Sequence, residues 1–302
     1  MPAPSHHDPR SAPPLSRRNL LGTGLAAAAS LVLAGCGVRQ DDPPEADGQG
    51  DARSTASSIP NGKDGVGAGG NDGDRDPHLK GRLLSRPGEP IGGEDISPGL
   101  REFDVAPGRR ALLLVPRTYR PDRATRFVLA LHGVSGMAEG AMRIYAPTAD
   151  DDGLLVLAPQ AADVEWDMFH GGYGKDVRFI DAALTKVFNG FRVDPTRMLV
   201  SGFSEGASYS LTMGLINGDL FTNVASLSPE FVGPGAHSGR PRIYISHGTE
   251  DRVYPIDETS RKIVPKLRNQ GYRVRYHEYG GRHELNLDIA AEATRWFLRT
   301  SA

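Results

Sequence analysis

The segment Gly202-Phe203-Ser204-Glu205-Gly206 sets one serine between two glycines, each two positions away. A serine hydroxyl is a poor nucleophile until a base accepts its proton, and that base needs a carboxylate to orient it. The five-residue pattern is weak by itself, since an ordinary glycine-rich turn would match it. Its flanks say more. Arg197 to Ser201 reads as a strand running into the motif, and Ala207 to Leu215 as a helix leaving it. A turn that tight pushes its serine outward in strained backbone, while the glycines let strand and helix approach each other. A base and a carboxylate are then sought downstream, in the order acid then histidine. Gly248-Thr249-Glu250-Asp251 follows the aliphatic run ending at His247, which puts Asp251 just past a strand end with Glu250 as its rival. Tyr279-Gly280-Gly281-Arg282-His283-Glu284 offers His283 in a glycine-rich loop before the final helix. His277 lies inside a strand, His247 suits a packed, hydrogen-bonded residue, and His170 precedes the serine. Asp257 reads as a helix cap.

Acyl chemistry at Ser204 also needs backbone donors waiting for the oxyanion. One is expected from the amide of Glu205, at the start of the following helix. The other is expected from His132-Gly133-Val134-Ser135-Gly136, directly after the aliphatic run Phe127 to Leu131. The elements that must hold these loops are legible as short apolar runs at 111–116, 127–131, 154–158, 198–200, 224–227, 243–245 and 273–276. Between them, Val177, Ile180, Ala183, Leu184 and Val187 recur at helical spacing, as do Ile263 and Leu267, and a last apolar face runs from Leu287 to Leu298. Near-continuous aliphatic strands alternating with amphipathic helices predict an α/β domain, with a mostly parallel sheet covered by helices on both faces. Its chemistry belongs at the carboxyl ends of the strands.

Together, Leu131-His132-Gly133, Gly202 to Ala207, His247 to Asp251 and Gly281 to Glu284 resemble α/β-hydrolases of the phospholipase/carboxylesterase type. Asp176 to Asp181 and Val193 to Arg197 are also similar to polyhydroxybutyrate-depolymerase-like and feruloyl-esterase-like members. The resemblance spans residues 111 to 302. It implies Ser204 as nucleophile, His283 as base, Asp251 as its orienter, and the amides of Val134 and Glu205 as the oxyanion hole. It implies a serine carboxylic-ester hydrolase for small or short-chain esters, with no metal or organic cofactor. Polyester depolymerase, feruloyl esterase, thioesterase and lysophospholipase are the alternatives within that chemistry; a non-catalytic scaffold binding a cell-wall component is the alternative outside it. Glu205 departs from the glutamine often found there, and a carboxylate beside the nucleophile would disfavour anionic acyl groups. The connection Pro229 to Pro241 is too short for a helical lid, so an open, lidless site without interfacial activation is expected. The loop Ala161 to Lys175 is a second wall, with Trp166 as a substrate-contacting candidate.

The amino-terminal third has a different texture. Arg10, Arg17 and Arg18 precede the uncharged, Leu- and Ala-rich stretch from Leu20 to Gly35, as in a secretory signal, and Ser16 to Leu21 loosely resembles a twin-arginine export motif. Leu33-Ala34-Gly35-Cys36 resembles a lipobox, which implies acylation of Cys36, the one cysteine of the chain, and an extracytoplasmic protein held on a membrane by lipid. Residues 37–100 read as a disordered tether, with nine Gly, eight Asp and four Pro between 37 and 80, leaving 101–302 as the catalytic domain. A net charge of −2 gives no basic excess for nucleic acid. Mean hydropathy of −0.38 excludes a multi-span membrane protein, and one cysteine excludes a disulfide framework or thiolate metal cluster.

Overall fold

A computed structural model describes residues 76–299, and Cys36 and the expected signal lie outside them. Eight strands form a single sheet: β1 (Gly99–Glu102), β2 (Ala111–Val115), β3 (Thr125–Leu131), β4 (Leu154–Pro159), β5 (Val193–Phe203), β6 (Asn223–Leu227), β7 (Arg242–Gly248) and β8 (Val274–Tyr279). Their spatial order is β1-β2-β4-β3-β5-β6-β7-β8. The first two strands run antiparallel, and from β4 to β8 every neighbouring pair is parallel. Each aliphatic run named above falls in one of β2 to β8, with Pro116 just past the end of β2 and Arg273 just before β8. The helices are α1 (Ala138–Met142), α2 (Ala149–Asp152), α3 (Lys175–Gly190), α4 (Glu205–Ile216), α5 (Ser260–Asn269) and α6 (Leu287–Leu298).

Alternation along the strands feeds two cores. In β4, Leu155 and Leu157 face the layer built with α3, α4 and α5, whereas Leu154, Val156 and Ala158 face the layer built with α1, α2 and α6. All residues of α4 are buried, because this helix is covered on the side away from the sheet as well. Its covering includes chain expected in the tether. Leu83 is fully buried; its amide donates to Asn217 Oδ1 at 2.8 Å, and Asn217 returns a bond to Gly81 O at 2.9 Å. Arg82 forks onto Asp219, and His78 meets Asp181 at 2.8 Å. Residues 76–100 therefore belong to the folded unit rather than to a tether: the buried Leu83 and hydrogen-bonding partners far along the chain hold them there. The connection from β6 to β7 carries no helix, consistent with the lidless expectation.

Candidate active site

Ser204 sits between β5 and α4 with φ 60° and ψ −125°, a conformation an L-residue holds only when its surroundings enforce it. The enforcement is visible. The Ser204 amide donates to Leu227 O at 3.0 Å on the neighbouring strand, and no side chain fits at either flanking glycine. A Cβ at Gly202 would stand 2.2 Å from Gly206 O, and one at Gly206 would stand 2.4 Å from Leu131 O. The spacing of the motif thus records how closely α4, β5 and the end of β3 approach.

Above the carboxyl ends of the strands, three side chains separated in sequence form one hydrogen-bonded line. His283 Nε2 lies 2.8 Å from Ser204 Oγ, and its Nδ1 lies 2.6 Å from Asp251 Oδ2. Asp251 Oδ1 accepts the amides of Val253 and Tyr254 at 2.9 and 2.8 Å, which fixes the carboxylate. The loops carrying the acid and the imidazole are stitched together: Thr249 N donates to Tyr279 O at 2.8 Å and Glu250 N to Gly281 O at 2.9 Å. Glu250, the rival acid, is exposed and contributes its backbone only.

His247 is fully buried behind Asp251, with Nε2 2.8 Å from Tyr254 O and 3.2 Å from Asp251 Oδ2, and Nδ1 2.7 Å from Ser260 Oγ. Both neighbours of Nε2 are acceptors, so the proton resides there and Nδ1 accepts from Ser260. Burial holds this imidazole below its usual pKa and therefore neutral. It is the packed residue its position suggested, and it braces the acid. Two aromatic rings flank His283: Phe203 at 5.0 Å and Tyr254 edge-on at 4.8 Å. Tyr254 escaped the sequence analysis, since nothing in its spacing links it to residue 283.

The loop after β3 lies beside the nucleophile, where a Cβ on Gly133 would be 3.3 Å from Ser204 Cβ. It is held by His132, whose Nε2 accepts the Ala161 amide at 3.0 Å, leaving Nδ1–H to donate to Gly133 O at 2.8 Å. Ser135 N and Gly136 N are spent on Val164 O and Gly133 O. The amides of Val134 and Glu205 donate to no acceptor among the described residues.

Trp166 is not a wall of the site. It is fully buried, stacked on Tyr209 at 4.9 Å and against His132 at 4.8 Å, with its indole N–H on His132 O at 2.9 Å. Its work is to support the loop after β3. The segment 161–175 is pinned by two buried acids: Asp176 takes Arg109 at 2.7 Å and the Ala162 amide, and Asp167 takes the Tyr209 hydroxyl at 2.8 Å and the Gly174 amide. Trp166 N donates to Glu205 Oε1 at 2.5 Å. The other carboxyl oxygen of Glu205 is buried and meets no partner in the structure. Burial, with help from Glu165, Asp176 and Glu230, pushes this carboxyl up to about 7. Among the described residues, no group of three or more His, Cys, Asp or Glu side chains is arranged to hold a metal ion.

A mostly parallel sheet in this order, with a strained serine after β5 and its hydrogen-bonded partners after β7 and β8, defines an α/β-hydrolase. The chain belongs to the family described as "Putative esterase", whose profile matches residues 108–287. Among curated proteins it is similar to "Putative esterase NocK" of Nocardia uniformis subsp. tsuyamanensis, at 27% identity over 184 residues, covering 55% of this chain. The match spans 52% of that relative, about half its length. Among solved structures, the S-formylglutathione hydrolase FrmB of Staphylococcus aureus aligns with TM-score 0.54 at 14% identity, over 66% of this chain and 99% of that one. A CE1 ferulic acid esterase of Anaeromyces mucronatus, solved with ferulic acid, aligns with TM-score 0.50 at 16% identity, over 67% and 90%. At such identities the two structures share the fold.

Proposed function

We propose that this protein hydrolyses carboxylic esters through an acyl-enzyme, with Ser204 as nucleophile, His283 as base and Asp251 as its orienter. The observation that carries the reading is the imidazole of His283, bridging hydroxyl and carboxylate at 2.8 and 2.6 Å. Its Nδ1–H is donated to Asp251, so Nε2 accepts the serine proton as Oγ attacks the ester carbonyl. The tetrahedral oxyanion then rests on the amides of Val134 and Glu205. Collapse expels the alcohol, which takes the proton from His283, and leaves Ser204 acylated. Water, deprotonated by the same imidazole, attacks the acyl carbon; collapse releases the acid and returns the proton to Oγ. A fluorophosphonate probe should label the protein at Ser204 and fail on Ser204→Ala; undiminished labelling of that variant rules the assignment out.

The substrate class we assign is small or short-chain esters, supported by the absence of a helix between β6 and β7 that could shelter a long chain. A parallel screen of short p-nitrophenyl, feruloyl, polyester and lysophospholipid esters tests it. We further propose acylation of Cys36 and an extracytoplasmic, membrane-held protein, on the strength of Leu33-Ala34-Gly35-Cys36 after an uncharged stretch. Among the described residues no helix is long and apolar enough to cross a membrane. Cys36→Ala should leave the membrane fraction or remain unprocessed.

A further inference from the structure

At the opposite edge of the sheet lies an arginine cluster that the proposed chemistry does not use. Arg242 opens β7, Arg273 immediately precedes β8, and Arg275 lies within it. Arg295 and Arg299 come from the end of α6. With Trp296 these residues line two adjoining shallow clefts. One carboxylate enters, Glu292, and it is already held by Arg275 at 2.9 Å and His277 at 2.7 Å. Arg273, Arg295 and Arg299 have no acidic partner among the described residues. The Arg242 guanidinium lies over the Trp296 ring at 5.0 Å, and burial together with the charge of Arg273 holds it below the usual arginine range. Like charges therefore crowd here, with Glu292 the one acid among the described residues that line the two clefts. The excess is local, because the neighbouring cleft at the amino ends of β3 and β5 sets its arginines against Asp151, Asp152 and Asp194.

We propose that this cluster is a docking surface for a bilayer of anionic lipid. Guanidinium forks match phosphate oxygens two at a time, and an indole at the same rim suits the boundary between headgroups and water. Position argues for the same occupant. The cluster lies at the amino ends of β7 and β8, whereas Asp251 and His283 follow their carboxyl ends. A seven-residue β7 puts about 20 Å between the two edges. Docked this way, the protein presents Ser204 to the solvent side. The inference leans on acylation at Cys36 for its physiological strength, since arginines near an anionic surface each contribute little and a lipid-held chain makes docking intramolecular.

Full-length, unlipidated Cys36→Ala protein separates the two ideas. Sedimented with vesicles of phosphatidylcholine alone or with phosphatidylglycerol added, it should pellet with the anionic vesicles only, and salt should release it. Arg273→Gln with Arg295→Gln should lower the partition coefficient roughly thirtyfold at an unchanged thermal midpoint, which shows the variant is folded. The proposal is overturned by equal binding to neutral vesicles, by binding to neither, or by binding that the double substitution leaves intact. Capture by soluble polyglutamate while the vesicles stay bare overturns it too, in favour of an anionic polymer. Anchoring through Cys36 can fail in cells without altering any of these results.

Discussion

Glu205 is where the chemistry and the folding of this chain pull on the same atoms. Its amide is one of the two unspent donors beside Ser204, and its side chain holds the Trp166 amide behind the loop that carries the other. With one oxygen buried and unpartnered, and with Glu165, Asp176 and Glu230 near, the carboxyl titrates up to about 7, against 4.5 for an ordinary glutamate. Below that pH it is neutral and takes the place of the amide often found there; above it, a negative charge stands next to a developing oxyanion. Ester turnover should therefore decline on the alkaline side of about 7, and Glu205→Gln should remove the decline while leaving the acid side unchanged. The sign for stability follows from the same shift. The unfolded carboxyl ionises first, so the native state binds more protons between 4.5 and about 7 and loses stability as pH rises through that window. Urea midpoints at the two ends of the window should differ less in Glu205→Gln than in the parent. Asp251 makes a sharper test: the Val253 and Tyr254 amides hold its Oδ1, so an asparagine there would keep its carbonyl oxygen on them, turn its NH₂ towards His283 Nδ1 and favour the wrong tautomer. Asp251→Asn should lower kcat by about 10³- to 10⁴-fold with normal fluorescence and melting.

The segment 76–86 covers α4 without being an element of the sheet, and its one regular piece is a single 3₁₀ turn, Pro77–Lys80. Leu83 is its anchor, with no exposed surface, inside the core that also holds Leu211 and Leu215. Leu83→Ala should destabilise the protein by about 2–4 kcal/mol, read from chemical denaturation, with little change in KM. Little in the local sequence announces this docking: Leu79, Leu83 and Leu84 are set among charged and polar residues without strand or helix periodicity, and the partners Asp181, Asn217 and Asp219 lie far downstream. The central strands were readable because burial on both faces demands unbroken aliphatic runs. β1 was not, since it is an edge strand with mostly exposed side chains, and α1 and α2 are too short to show a period. Ser204, Asp251 and His283 could be picked out because each follows a strand end in a turn that needs glycine. Trp166 was misplaced for a plain reason: an aromatic residue in a loop has the same sequence signature whether it faces a cleft or the core. Its contacts with His132 and Tyr209 are set by the tertiary packing of three elements.

At the scale of the molecule, the described residues include no part over Ser204 that is built to move. The stretch between β6 and β7 is the place where a lid would be inserted, and here it is helix-free and tied down: Glu230 N donates to Ser208 Oγ at 2.9 Å and Gly233 N to Thr212 Oγ1 at 2.8 Å, both on α4. Gly233 is packed so closely that a Cβ would meet Met168 Sδ at 2.4 Å, so a swinging motion would have to break a buried contact as well as two hydrogen bonds. The loop 161–175 is equally fixed through Asp167 and Asp176. An enzyme without a displaceable cover gains nothing from an oil–water boundary, because no closed state exists for the boundary to open. Rates on tributyrin or a longer p-nitrophenyl ester should therefore follow one hyperbola through the solubility limit, with no upward break when droplets or micelles appear. The preference should fall as the acyl chain lengthens, because the described residues place no helix between β6 and β7 to shelter added methylenes, each of which would otherwise contribute about 0.8 kcal/mol on burial. An abrupt rise at the solubility limit, or a kcat/KM that climbs with chain length, would show that the 228–241 connection opens after all.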